Sequence, residues 1–102
     1  MTDNQVKRGQ QWLEQLLTLA GTPTSVTAHD DTLETEGSCW LVIDHTSLSE
    51  EVITTLIGEQ GHVLDAIQYL ANTTLNLHQP ETDQCAYTIE LNGYRAKRKV
   101  EL

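Results

Sequence analysis

The sequence predicts one small α+β domain in which a three-stranded sheet carries helices on one face, in the order α-β-β-α-α-β. Apolar residues recur at helical spacing in three stretches, and three shorter stretches are apolar or alternating as strands are. Glycines and prolines fall between these stretches, where turns are needed. The chain of 102 residues is long enough for one domain with a small core.

The N-terminal part, residues 1–35, is predicted to supply the first helix and the first strand. Apolar side chains recur at helical spacing over residues 3–20, and Gly21 and Pro23 end this helix. Residues 24–29 then alternate between apolar and polar side chains, which is typical of a half-buried strand. An acidic loop follows and leads to the second strand.

The central part, residues 36–93, is predicted to be the core of the domain. Residues 39–43 are apolar at nearly every position, which indicates a strand in the middle of the sheet. The last strand, residues 85–91, alternates strictly, so Thr88 and Glu90 are expected on its outer side. Two helices lie between these strands.

These two helices are joined by a Gly-x-x-Gly sequence. The first has Ser47 and Glu50 at capping-box spacing and ends at Gly58, and the second begins after Gly61. Because both glycines lack a Cβ atom, the backbone of a ligand can lie directly on the turn. The free N–H groups and the positive dipole end of the second helix face the same place, which suits a phosphate.

The residues around this turn resemble a KH domain. The KH signature places an aliphatic residue and Ile before Gly-x-x-Gly, and it is matched here by Leu56-Ile57-Gly58-Glu59-Gln60-Gly61-His62-Val63-Leu64. The KH domain of the Jag (SpoIIIJ-associated, KhpB) family of bacterial RNA-binding proteins is similar to the continuation through Leu70 and to the ending Ile89-Glu90-Leu91-Asn92-Gly93-Tyr94-Arg95. The resemblance covers residues 36–99 and implies a type II KH-like sandwich that binds single-stranded RNA or single-stranded DNA in the cytoplasm.

The resemblance and the charge pattern together predict a nucleic-acid-binding surface. Its residues are Ile57, Gly58, Glu59, Gln60, Gly61, His62, Arg95, Lys97, Arg98 and Lys99. The two glycines would admit the ligand backbone, and Ile57 would contribute to a groove, although most of the aliphatic stripe is expected in the core. Residues 94–102 are expected to form a basic tail, or the start of a linker to a further domain.

The overall charge favours a second hypothesis. The net charge is −9, and no Lys or Arg lies between Gly9 and Tyr94. KH loops are usually rich in Lys, Arg or Gly at their variable positions, whereas this loop has Glu59 and Gln60, and a carboxylate beside a phosphate opposes binding. The alternative is a degenerate KH domain that acts as a protein-interaction or dimerisation module, with another KH protein or a second copy as its partner.

The sequence predicts no enzymatic activity, metal, cofactor or membrane segment. No Ser/His/Asp or Cys/His arrangement has supporting context. Two loose groups lack further ligands at the spacing of a metal site, namely His29-Asp30-Asp31 and Asp44-His45. No apolar run approaches the roughly 20 residues that cross a bilayer. Cys39 and Cys85 stand far apart in the sequence, so both are expected to be reduced core residues.

Overall fold

The computed structural model describes residues 3–29, 38–81 and 84–101, which form a small α+β domain with a three-stranded mixed sheet. The described helices are α1 (Asp3–Leu19), α2 (Glu50–Ile57), α3 (His62–Asn76) and α4 (Tyr94–Glu101). The described strands are β1 (Val26–His29), β2 (Cys39–Ile43) and β3 (Tyr87–Leu91), and a 3-10 turn, Glu59–Gly61, joins α2 to α3. The predicted class, α+β with one three-stranded sheet, is confirmed. The predicted acidic loop, residues 30–37, lies outside the described residues.

Strand β2 lies in the middle of the sheet, as its apolar sequence predicts. β1 pairs with it antiparallel and β3 pairs with it parallel, so that Leu41 stands opposite both Ala28 and Ile89. Two parallel strands need a long crossover connection, and α2, the loop and α3 supply it. The Gly-x-x-Gly turn is therefore held between the two helices of one crossover.

The core lies between the sheet and the helices. Apolar residues from α1, the three strands, α2 and α3 are buried there: Leu13, Leu17, Val26, Cys39, Leu41, Ile43, Ile53, Leu56, Leu64, Ile67, Ala71, Leu75, Tyr87, Ile89 and Leu91. Tyr87 is buried, and its hydroxyl donates to the backbone oxygen of Gln5 at 2.8 Å. Burial raises the pKa of this hydroxyl above its usual value. Cys39 is buried, Cys85 is half-buried, and both thiols are free.

The outer edge of β3 is hydrogen-bonded by amide side chains of α3. Asn72 donates to the carbonyl oxygen of Tyr87 at 3.0 Å and accepts from its N–H at 2.8 Å. Asn76 makes the same pair of bonds to Cys85, at 2.8 and 2.9 Å. Four helix residues rise about 6 Å and two strand residues rise about 6.6 Å, so one helix face can follow the strand edge.

The pattern continues along β3 and recurs on β1. Gln68 of α3 accepts from the N–H of Ile89 at 2.9 Å. On β1, Gln10 of α1 donates to the carbonyl oxygen of Val26 at 2.6 Å, and Glu14 accepts from the Val26 N–H at 2.9 Å. A free sheet edge is a template for another strand, so these side chains occupy backbone groups through which a partner strand could otherwise pair.

Candidate nucleic-acid interface

Helix α2 leads into the Gly-x-x-Gly loop from a capped start. Its N-cap is Ser49, whose hydroxyl accepts from the N–H of Val52 at 3.2 Å. The capping box predicted at Ser47 is wrong, because the helix begins two residues later, with Ser49 as its N-cap. The hydroxyl of Ser47 instead lies 3.1 Å from the hydroxyl of Thr24. The predicted end of the helix at Gly58 is confirmed.

Both glycines of the loop are required by its backbone. Gly58 has a φ of 76° and Gly61 has a φ of 80°, in the region that L-residues rarely adopt. A Cβ atom on Gly58 would lie 2.8 Å from the backbone nitrogen of Val63. A Cβ atom on Gly61 would lie 2.7 Å from Cε2 of the Tyr94 ring. The loop therefore needs glycine at each position both for conformation and for space.

The two variable residues of the loop, Glu59 and Gln60, are exposed, and two backbone hydrogen bonds hold the turn. The N–H of Gly61 donates to the carbonyl oxygen of Gly58 at 3.2 Å, and the N–H of His62 donates to the carbonyl oxygen of Glu59. Gln60 has a φ of 56° and a ψ of 24°, in the left-handed region. The N-cap of α3, Gly61, has no side chain to cap the helix, so the N–H groups that follow His62 in the first turn can attract an anion.

Residues 94–101 form helix α4, an element that the sequence does not predict. Its cap is Glu90, whose carboxylate accepts from the N–H groups of Arg95 and Ala96 at 2.9 and 3.1 Å. A carboxylate stabilises the start of a helix by pairing with N–H groups that lack other acceptors. The prediction that Glu90 faces solvent is wrong. Glu90 is only 4% exposed, and its carboxylate is bonded to the start of α4.

Helix α4 is fastened beside the loop by its first two residues. The half-buried ring of Tyr94 lies against Gly61. The guanidinium of Arg95 donates through Nη1 to Asp65, in the first turn of α3, at 2.9 Å and through Nε to the carbonyl oxygen of Ile89 at 2.6 Å. The Arg95 side chain is 19% exposed, and its Nη2 atom is buried with no hydrogen-bond partner within the described residues. The structure thus places Arg95 as a link between α4, α3 and β3.

Two exposed cations of α4 have described side chains, and helix geometry relates both to the residue that contacts the loop. Lys97 and Arg98 follow Tyr94 by three and four residues, so they share its helix face. Tyr94 lies against Gly61, and the two cations stand about one helical turn, or about 5 Å along the axis of α4, from Tyr94. The side chain of Lys99 lies outside what the structure describes.

The apolar residues beside the loop divide between the core and the surface. Leu64 is fully buried, and Ile57 is half-buried and packs against the core. Val63 is 40% exposed, and its side chain lies beside Gly58. His62 and Gln60 are exposed next to it. The structure therefore places Val63 beside Gly58 and the first residue of α4 beside Gly61, while Ile57 packs against the core.

Sequence reasoning did not place Tyr94, Asp65 or Glu90 in this site. Tyr94 directly precedes the predicted site residue Arg95 in the Gly-Tyr-Arg ending, but its contact with Gly61 and the pairing of Asp65 with Arg95 join residues that are about 30 positions apart. Their contribution is structural: they hold α4 against the loop, as described above.

Comparison with known proteins assigns no family, since no protein-family model and no curated protein matches the chain. Within residues 3–29, 38–81 and 84–101, no three His, Cys, Asp or Glu side chains are placed to hold a metal ion. No helix in this part of the chain is long and apolar enough to cross a membrane. The function is therefore argued from the geometry of the loop and of α4.

Proposed function

We propose that the chain is a type II KH-like domain that binds single-stranded nucleic acid, RNA in particular, in the cytoplasm and without enzymatic activity. The element order before α4, with two helices crossing between parallel strands β2 and β3, supports the KH-like architecture. One observation carries the functional proposal. Helix α4, with its exposed Lys97 and Arg98, is fastened against a Gly-x-x-Gly loop at Gly61.

The loop would receive the sugar-phosphate backbone. Glycine leaves room for a close approach, and a phosphate there meets the start of α3, which no side chain caps. The exposed amide of Gln60 can donate a hydrogen bond, and His62 can stack on a base or, when protonated, contact a phosphate. A base beside the loop can rest on the exposed part of Val63.

Few positively charged side chains are available to the phosphates of such a ligand, so its affinity should depend only weakly on salt concentration. Arg8 donates to the carbonyl oxygen of Leu75 at 3.0 Å, and Arg95 is paired with Asp65. Lys97 and Arg98 remain, with Lys99 next to them in the sequence, and two or three such contacts predict a slope of log affinity against log salt of about −1.5 to −2, at about −0.7 per contact with a single strand.

Replacing Glu59 with lysine tests the proposal. The substitution removes an exposed repulsion beside the loop and adds an attraction, so the affinity for a labelled single-stranded RNA should rise several-fold, for about 1 kcal/mol in total. Fluorescence anisotropy at two salt concentrations measures the gain, which should shrink at the higher salt. Thermal stability should hardly change, because the side chain is exposed.

The matched control is Glu81→Lys. Glu81 is also exposed, but it follows the far end of α3, whose 15 residues span about 22 Å. The same change of charge there should raise the affinity much less. Equal gains in the two variants would show attraction by net charge alone, and no gain at position 59 would place the ligand away from the loop.

A second candidate function is a protein-interaction or dimerisation module. The observation that favours it is an exposed apolar surface along α3 and at its C-cap, where Tyr69, Leu70 and the C-cap residue Leu77 are 70%, 48% and 58% exposed. Residues 66–80 include no Asp, Glu, Lys or Arg, so two copies of an acidic chain could approach each other there with little repulsion. Sedimentation equilibrium would then give the mass of two copies.

A further inference from the structure

We propose that Tyr69 is a stacking platform for a base and that the bound strand leaves the loop along the outer face of α3. This inference rests on the proposed function, to which it adds a binding residue and a direction for the ligand. Tyr69 is 70% exposed, and an exposed aromatic ring offers a face on which any base can stack.

The position of Tyr69 places it in line with the loop. His62, Ala66 and Tyr69 are separated by four and three residues, so they follow one another along a single face of α3, and all three are exposed. Tyr69 stands about 10 Å along the helix axis from His62. A KH-type loop holds about four nucleotides, so a strand that crosses the loop is long enough to reach this ring.

The charges around the loop favour this direction over the other one. Helix α2 carries Glu50 and Glu51 in its first turn, so a polyanion that runs along it meets repulsion. On α3 the acidic residue of the first turn, Asp65, is paired with Arg95. The next stretch, residues 66–80, has no acidic residue at all. A strand anchored by the cations of α4 can therefore continue over α3 with less local repulsion than it would meet along α2.

The occupied edge of β3 indicates how the bases would be bound. The N–H groups of Tyr87 and Ile89 already donate to Asn72 and Gln68, so they cannot read the edge of a base. Stacking on Tyr69 needs no such contact and tolerates every base. We therefore expect weak sequence preference among single-stranded RNAs of equal length.

Substitution of Tyr69 tests the inference, with a fluorescein-labelled oligouridylate as the probe. Tyr69→Ala should weaken binding about 5- to 20-fold, since stacking on one aromatic ring is worth that much per base. Tyr69→Phe keeps the ring and should bind within twofold of the unmodified protein. Leu77→Ala is the control, because Leu77 is 58% exposed at the C-cap of α3, about 12 Å further from the loop than Tyr69, and its replacement should leave the affinity unchanged.

The outcomes separate the inference from the proposed function. If Tyr69→Ala binds as the unmodified protein does while substitution of Lys97 and Arg98 still impairs binding, the strand takes another path and the proposed function stands. If the unmodified protein binds no oligonucleotide even at low salt, both fail. If Tyr69→Ala instead lowers the mass of the protein in solution, this face of α3 is an interface between copies, and the assignment to a base is overturned.

Discussion

Gly61→Ala is expected to destabilise the domain by about 2–4 kcal/mol and to remove nucleic-acid binding. The added methyl group would be held at a φ of 80° and would lie 2.7 Å from the Tyr94 ring. The ring must move, and α4 then loses its contact with the loop. Urea unfolding followed by circular dichroism measures the loss of stability, and anisotropy with single-stranded RNA measures the loss of binding.

Gly21→Ala is the control for backbone conformation. Gly21 has a φ of 82°, but a Cβ atom there meets nothing within 4 Å. Its cost should be about 1 kcal/mol, from the left-handed conformation alone. If the two alanine variants lose equal stability, Tyr94 does not constrain the loop.

A double variant makes this test sharper. In the double variant Gly61→Ala with Tyr94→Ala, the methyl group no longer meets the ring. The double variant should therefore lose less stability than the two single variants lose in sum. Nucleic-acid binding should remain impaired, because α4 has lost its contact with the loop. Additive losses would show that the two residues act independently.

Replacing Lys97 and Arg98 with glutamine is expected to weaken binding of single-stranded RNA by about tenfold or more, with no loss of stability. Both side chains are exposed, so the fold does not depend on their charge. The slope of log affinity against log salt should fall by about 1.4, or about 0.7 for each lost contact. Titrations at three salt concentrations measure both changes.

Lys7→Gln is the control for the loss of positive charge. Lys7 is exposed on α1, two residues after Gln5. The backbone oxygen of Gln5 accepts from the hydroxyl of Tyr87, at the start of β3, so this part of α1 lies at that end of the strand. Helix α4 follows the other end of β3, so Lys7 is remote from the loop. Its replacement should change the affinity by less than about twofold. A loss as large as that of the double variant would indicate binding by overall charge.

The sequence predicts the elements whose side-chain pattern repeats. Residues 39–43 are apolar on both faces, which predicts a central strand, and β2 spans those residues. Helix α3 begins directly after Gly61, as its apolar spacing predicts, and runs to Asn76. The two glycines separate two such patterns, which predicts the loop, although their positive φ angles are visible only in the structure.

The sequence does not predict helix α4 or its place. Its eight residues include four basic ones and few apolar ones, so no run of apolar residues marks it, and its contacts include the Glu90 carboxylate at its start and the Arg95–Asp65 ion pair. Tyr94 and Gly61 stand far apart in the sequence, and no local pattern reports such a contact. The same contact explains why basic residues that resemble a separate tail lie beside the loop.

The central claim is that the loop and α4 form one binding surface. A titration of isotope-labelled protein with a short single-stranded RNA, followed by amide chemical shifts, tests it most directly. We expect the amides of Gly58, Gln60 and Gly61 to move together with those of Lys97 and Arg98 and to fit a single dissociation constant. Shifts in α4 while the loop amides stay still, or no shifts in either, would contradict the claim.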